Sequence, residues 1–345
     1  MKAVVLHAAR DLRVEDVAAS DPGPREVRVR IEAGGICGSD LHYYHHGAIG
    51  SSIVLKQPMI LGHEVAGIVE RVGDAVSGLR AGDRVALSPS LPCNRCQFCL
   101  AGLQMHCLDM RFYGSAMRFP HVQGAFRQVI TADAGQCHVV PADVSAGEAA
   151  MAEPLAVCLH AARRAGPLLG KRVLVTGSGP IGALCVIAAR RAGAAEIVAT
   201  DILDQQGPLM RKLGADRFIN VARESDALAA FAVGKGTFDV VMEASGNDKA
   251  LAQAFDTLRP RGVIVQVGLG GTATLPLSTL VAKEFDLRGT FRFHEEFALA
   301  VELIAKRLVD VRPLISATLP FVSAREAFAL ASDRTRSMKV QLAFT

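Results

Sequence analysis

Two periodicities divide this chain. Up to about residue 150, apolar and polar positions alternate in short runs such as EVRVRIEAGG, GHEVAGIVERVG and DRVALSPS, with Gly, Asp and Pro between them. Alternation suits strands buried on one face, and short strands joined by turns predict a small antiparallel barrel. Near residue 150 the spacing lengthens. AEPLAVCLHAARRAG repeats its apolar positions at helical intervals, and strands then alternate with helices. The alternation places strands at 172–176, 196–200, 218–220, 239–243, 263–267 and 286–290, with helices including 181–192 and 249–258 between them. That alternation defines an α/β fold with a doubly wound parallel sheet of six strands. Beyond 291 come one more helix, 295–307, and a strand-like tail, SMKVQLAFT, with no room in such a sheet. The tail is therefore expected to return to the first domain, giving domains of 1–150 with 291–345, and 151–290.

Composition narrows the function. The 345 residues allow two cores, and 32 glycines suit many tight strand–helix turns. A net charge of +4 with no basic block gives no reason to expect nucleic acid as a partner. The N-terminal MKAVVLHAARDLRVEDV reads as a strand and not as a signal peptide. The longest apolar stretch, 173–189, holds four glycines or prolines and adjoins Arg190 and Arg191, so no membrane partner is expected either. The expectation is a cytoplasmic protein with reduced thiols.

Four of the eight cysteines are concentrated in LPCNRCQFCLAGLQMHC. Cys93, Cys96, Cys99 and Cys107 follow the spacing Cys-x2-Cys-x2-Cys-x7-Cys. Four thiolates so close form a closed tetrahedral site of the kind a structural zinc ion takes, and the zinc lobe spans about 90–110. Cys137, Cys158 and Cys185 read as small apolar core residues.

VLVTGSGPIG presents Gly177, Gly179 and Gly182 as G-x-G-x-x-G, directly after an apolar strand and opening a helix. In that context the first glycine makes the turn, the second lets backbone approach a pyrophosphate, and the third lets helix and strand pack closely. The phosphates then rest on a helix N-terminus. Asp201, ending the next strand, can accept hydrogen bonds from the adenosine ribose and would repel a 2′-phosphate, which favours NAD over NADP. Arg211 and Lys212 on the following helix leave NADP open. Pro180, Ile181 and Val267 complete the expected cofactor-binding set.

One more thiol, Cys37 in GGICGSDLHYYHHG, and the pair His63 and Glu64 in PMILGHEVAGIVERVG lie beside glycines at strand ends. Thiolate, imidazole, carboxylate and water make an open catalytic zinc site. From Gly62 to Val76 the chain reads GHE-x2-G-x5-G-x2-V, and Cys-Gly-Ser-Asp-x-His runs from Cys37 to His42. With the four-cysteine lobe and the GSGPIG turn, these motifs resemble, in order and over nearly the whole chain, the zinc-dependent medium-chain alcohol and polyol dehydrogenases. The resemblance implies a GroES-like β-barrel catalytic domain, a Rossmann domain for NAD, an active cleft between them, two zinc ions per chain, and a homotetramer or homodimer.

AEPLAV resembles the polyol branch and places Glu153 near the catalytic zinc. Ligation by Cys37, His63 and Glu64 with water, or by Cys37, His63 and Glu153, both fit that pattern. The family pattern makes Ser39 the acceptor of the hydroxyl proton and His42 its relay onward. Zinc lowers a hydroxyl's pKa from about 16 toward roughly 7, so hydride can leave for C4 of the nicotinamide. CGSDLHYYHHG, MRFYGSAMRFPHVQGAF and LRGTFRF look most like the enzymes of that branch that act on sugar acids. A sugar acid brings a carboxylate that needs a cation, and Arg292 is the first candidate, with Tyr43, Ser115 and Arg118 as further contacts. A neutral polyol is the nearest alternative substrate. A non-catalytic zinc module is disfavoured by the weak charge around Cys93–Cys107 and by the complete nucleotide fold.

Overall fold

The computed structural model describes residues 1–344. The chain forms two compact units, Met1–Glu153 with the segment from Phe297 onward, and Pro154–Glu296. Among the described residues no helix is long and apolar enough to cross a membrane.

The first unit is built around the strand Glu26–Gly35, whose Val27, Val29, Ile31 and Ala33 are buried while the residues between them are half-exposed. It pairs antiparallel with Glu64–Val72, Val129–Asp133 and Lys339–Ala343. Arg84–Leu87 and Cys137–Val139 continue the sheet beyond Glu64–Val72. Leu61, Val85, Phe126 and Phe328 join the buried valines and isoleucine in one core. The tail does return to this unit. It does so by a route the alternation misses: Ile315–Pro320 pairs parallel with Lys339–Ala343, and the helix Ala324–Ser332 lies between them. A parallel pair needs such a crossover, and an edge strand of mixed exposure gives little periodic signal. Of the three remaining cysteines, Cys158 and Cys185 are buried but Cys137 is only half-buried.

Register in this unit brings the reactive loops together. Gly35 stands opposite Glu64, so the chain leaving one strand toward Cys37 passes the start of the other. A Cβ at Gly35 would fall 2.1 Å from Glu64 Oε2. Only glycine lets the Glu64 side chain lie across the strand end.

The second unit holds six parallel strands in the order Arg217–Asn220, Glu196–Asp201, Arg172–Thr176, Phe238–Glu243, Leu258–Gln266 and Asp286–Gly289. This is the predicted doubly wound sheet. Strand order reverses between Arg172–Thr176 and Phe238–Glu243, which opens a crevice at their C-terminal ends. Leu258–Gln266 begins earlier than the sequence suggests, because its Arg-Pro-Arg-Gly run is a bulge within the strand and not a turn before it. The helix Pro180–Arg191 starts on Gly179 with Pro180 in its first turn, where a missing N–H costs no hydrogen bond.

Candidate active site and cofactor turn

Cys37 precedes the helix Gly38–His46 and donates its N–H to Asp40 Oδ2 at 3.0 Å. Asp40 Oδ1 accepts from Gly62 N–H at 3.1 Å and lies 3.8 Å from His63 Nδ1. One fully buried carboxylate thus ties the Cys37 loop to the His63 loop and occupies one side of the imidazole. The other ring nitrogen, Nε2, is 3.5 Å from Ser39 Oγ. Donor atoms of Cys37, His63 and Glu64 lie within 4.8 Å of one another. A thiol, an imidazole and a carboxylate, with the Asp40 carboxylate 3.8 Å behind the imidazole, fit a catalytic zinc ion that keeps one position open. Glu153 stands outside this mutually close set.

Lys339, on the returning C-terminal strand, donates to Glu64 at 2.8 and 2.7 Å and to the Ile36 carbonyl at 3.1 Å. Both side chains are almost inaccessible, at 3% for Lys339 and 1% for Glu64. Burial disfavours the ammonium ion, but Glu64 and Cys37 outweigh it and raise the Lys339 pKa. Burial, reinforced by the Glu64 charge, pushes the Cys37 thiol up to about 12. Burial likewise lifts Glu153 to about 8; His63 opposes that rise, while Glu64 and Cys37 add to it. Without a metal ion this pocket holds more potential anions than its single lysine can balance.

His42 is exposed on its helix. Tyr43 is packed in the core, and its hydroxyl accepts from Ala116 N–H at 3.0 Å. Ser115 is buried, with its Oγ accepting from Met117 N–H at 3.3 Å. Arg118 is paired with Asp109. Arg292, in the second unit, has a left-handed backbone (φ 53°) and holds its guanidinium 4.9 Å from the centre of the Phe291 ring.

The four remaining thiols of interest, those of Cys93, Cys96, Cys99 and Cys107, converge as their spacing predicts. Sγ–Sγ separations are 4.0 Å for Cys93–Cys99 and 3.6 Å for Cys96–Cys99. A tetrahedron with Zn–S bonds of about 2.3 Å has edges of about 3.8 Å, so the fit is close. Backbone N–H groups of Cys93 and Asp109 point at Cys107 Sγ, at 3.1 and 3.3 Å. N–H groups of Cys99 and Leu108 hold Cys96 down at about 6. Such donors stabilise thiolates, the form that binds metal.

In the second unit, Gly177 has φ +83°, and a Cβ there would lie 2.8 Å from the Ser245 backbone. A Cβ on Gly182 would meet the Gly177 carbonyl oxygen at 1.8 Å. Both glycines are required by close approach. Asp201 is buried and accepts from Ser178 N–H at 2.7 Å and from Ile202 N–H at 2.7 Å, tying the glycine turn to the neighbouring strand end. Val267 follows the strand Leu258–Gln266 and donates its N–H to the Glu243 carbonyl at 2.8 Å. Asp40 and Lys339, which adjoin the Cys37, His63 and Glu64 donor set, are residues that the sequence reading missed. Asp40 carried one signal, an acidic residue three positions after Cys37 at a helix start.

One chain that carries a six-stranded parallel dinucleotide-type sheet and a mainly antiparallel domain with open and closed metal donor sets defines a class of metal-dependent dehydrogenases. Residues 23–142 match the alcohol dehydrogenase GroES-like domain, and residues 180–306 match the zinc-binding dehydrogenase domain. The chain belongs to the zinc-dependent medium-chain dehydrogenases, a family of NAD(P)-linked oxidoreductases. It is 45% identical over 317 residues to L-idonate 5-dehydrogenase (NAD(P)(+)) of Escherichia coli, covering 92% of this chain and 91% of the relative. The crystal structure of L-idonate 5-dehydrogenase from that organism superposes with a TM-score of 0.94 at 42% identity, covering 99% of this chain and 97% of the other. Sorbitol dehydrogenase of Gallus gallus is 38% identical over 344 residues, covering 99% of this chain and 95% of the relative.

Proposed function

We propose that the enzyme oxidises L-idonate at C5 to 5-keto-D-gluconate, and runs the reverse reduction, with NAD as hydride carrier and zinc in both metal sites. The observation that carries this reading is the 45% identity with an L-idonate 5-dehydrogenase across 92% of a chain that keeps the Cys37, His63 and Glu64 donor set together. Cys37, His63 and Glu64 would hold the catalytic ion, and Cys93, Cys96, Cys99 and Cys107 the structural one. Zinc held at the first set supplies a Lewis acid that lowers the pKa of a substrate hydroxyl toward roughly 7.

The chain's own groups do the rest. Asp40, 3.8 Å from His63 Nδ1, supplies a negative charge beside the imidazole, and Lys339 fixes Glu64. Ser39, within reach of His63, takes the hydroxyl proton and passes it through the cofactor ribose toward His42, which is exposed on the same helix. Glu153, whose carboxyl is pushed up by burial, lies close enough to His63, Glu64 and Cys37 to feel their charges and would serve as a carboxyl group beside the reacting centre. Asp201 receives the adenosine ribose and disfavours a 2′-phosphate. Arg292 pairs with the substrate carboxylate, supported by Ser115 and Arg118, while Tyr43 is held in the core by Ala116 and takes no part. The enzyme works in the cytoplasm, where its thiols stay reduced, as a homotetramer or homodimer.

A panel of L-idonate, D-gluconate, sorbitol and xylitol, each with NAD and NADP, tests the reading. L-idonate with NAD should give the highest kcat/KM, by about tenfold or more over the neutral polyols. Dominance of sorbitol or xylitol would instead support a polyol dehydrogenase, the reading favoured by the likeness to sorbitol dehydrogenase. Arg292→Leu should lower kcat/KM for L-idonate by about 10- to 100-fold while changing sorbitol turnover little, because only the acid loses a charge-assisted partner. Equal losses on both substrates would remove Arg292 from that role.

A further inference from the structure

The strand Phe238–Glu243 ends in a fully buried carboxylate that is absent from every motif above. Glu243 Oε1 accepts from Thr176 Oγ1 at 3.2 Å, from Ser245 N–H at 2.8 Å and from the Ser245 hydroxyl. Gly246 N–H lies 3.1 Å from both carboxylate oxygens, and Gln266 Nε2 donates to Oε2 at 2.6 Å. The Glu243 main-chain carbonyl accepts from the N–H groups of Val267 and Gly268, both at 2.8 Å. Among the described residues no cation pairs with this carboxylate.

These donors have a common geography. Thr176 and Gln266 end the two strands flanking Phe238–Glu243, so one carboxylate fastens the C-terminal ends of three adjacent strands. It does so where the strand order reverses, at the crevice that binds dinucleotides in such sheets. The turn it holds is wedged between two others. Gly177 rests on Ser245, and a Cβ on Gly268 would fall 2.3 Å from the Gly246 nitrogen. The glycine turn at 177–179 and the segment from Val267 to Gly270 therefore both bear on the turn at Ser245 and Gly246.

We infer that Glu243 is a positioning residue for the cofactor. Its carboxylate fixes the Ser245–Gly246 turn and so sets the spacing between the phosphate-binding turn and the Val267–Gly270 segment. The role requires an acceptor on both oxygens. A glutamine of the same shape offers one acceptor and turns an NH2 group against existing donors.

Glu243→Gln tests this. NADH affinity is read by fluorescence titration without substrate, so an error in substrate identity leaves the readout intact. The variant should raise the NADH Kd and the KM for NAD by about tenfold or more. The KM for the alcohol and the zinc content should stay at wild-type values, with kcat at saturating NAD within about threefold. Thr176→Val removes a single donor and should show the same pattern at about two- to threefold, which keeps the test available if Glu243→Gln fails to fold. A lowered melting temperature in folded variants that bind NADH as the wild type does would make Glu243 merely structural and overturn the inference. Unchanged NADH affinity in Thr176→Val, with Glu243→Gln unfolded, would overturn it too.

Discussion

Lys339→Met should make the stability of the first unit depend on metal. In the wild-type protein, Lys339 and Glu64 are both buried and doubly bonded, so Glu64 has a counter-charge with or without an ion. Breaking a buried pair by removing one partner costs about 3–5 kcal/mol, because the surviving charge is left uncompensated. Bound zinc would offset that loss by giving Glu64 a new cation. Thermal melts with and without a chelator should therefore show a far larger drop on metal removal for Lys339→Met than for the wild type, and Lys339→Arg should restore most of the difference. Equal drops in Lys339→Met and the wild type would mean that Lys339 does not balance Glu64 in the metal-free protein.

Cys99→Ser should cost stability first and chemistry only as a consequence. Cys99 is buried and lies within tetrahedral-edge distance of both Cys93 and Cys96, so its loss opens a site that needs all four thiolates. The lobe has short helices of its own, Gln97–Leu100 and Gln104–His106, and little regular structure to hold it without an ion. Limited proteolysis should cut Cys99→Ser within about residues 90–110 while leaving the wild type intact, and freshly prepared variant should still oxidise its alcohol. An uncut variant that has lost all activity at once would move this site from a supporting role to a catalytic one.

Legibility followed sequence distance. The four-cysteine lobe and the G-x-G-x-x-G turn are local: their residues fall within one loop or one strand–turn–helix, so spacing reports geometry directly. The strands Arg172–Thr176, Glu196–Asp201 and Phe238–Glu243 were legible as largely apolar, buried runs, whereas the edge strand Asp286–Gly289, DLRG and mostly exposed, was legible only from the alternation of strands with helices. Lys339 was not, since its partner Glu64 lies 275 residues away and a lysine inside an alternating tail looks like an ordinary exposed position. Glu243 gathers donors from Thr176, 67 residues earlier, and from Gln266, 23 later, and no motif records that convergence. Tyr43 shows the opposite error. Its place beside a reactive motif suggested a substrate contact, while the fold turns it into the core with its hydroxyl held by Ala116. The register that sets Gly35 against Glu64 brings Glu64, and not Glu153, into the close set with Cys37 and His63, a proximity that no local spacing records.

The central claim is that chemistry resides at Cys37, His63 and Glu64 and not in the cysteine lobe. Metal content and turnover measured together on the wild type and on Cys37→Ser test it most directly. The wild type should hold two zinc ions and Cys37→Ser one, with turnover reduced by about a thousandfold or more while NADH binding and thermal stability remain near wild type. A Cys37→Ser protein that keeps both ions, or oxidises its alcohol at close to the wild-type rate, would contradict it.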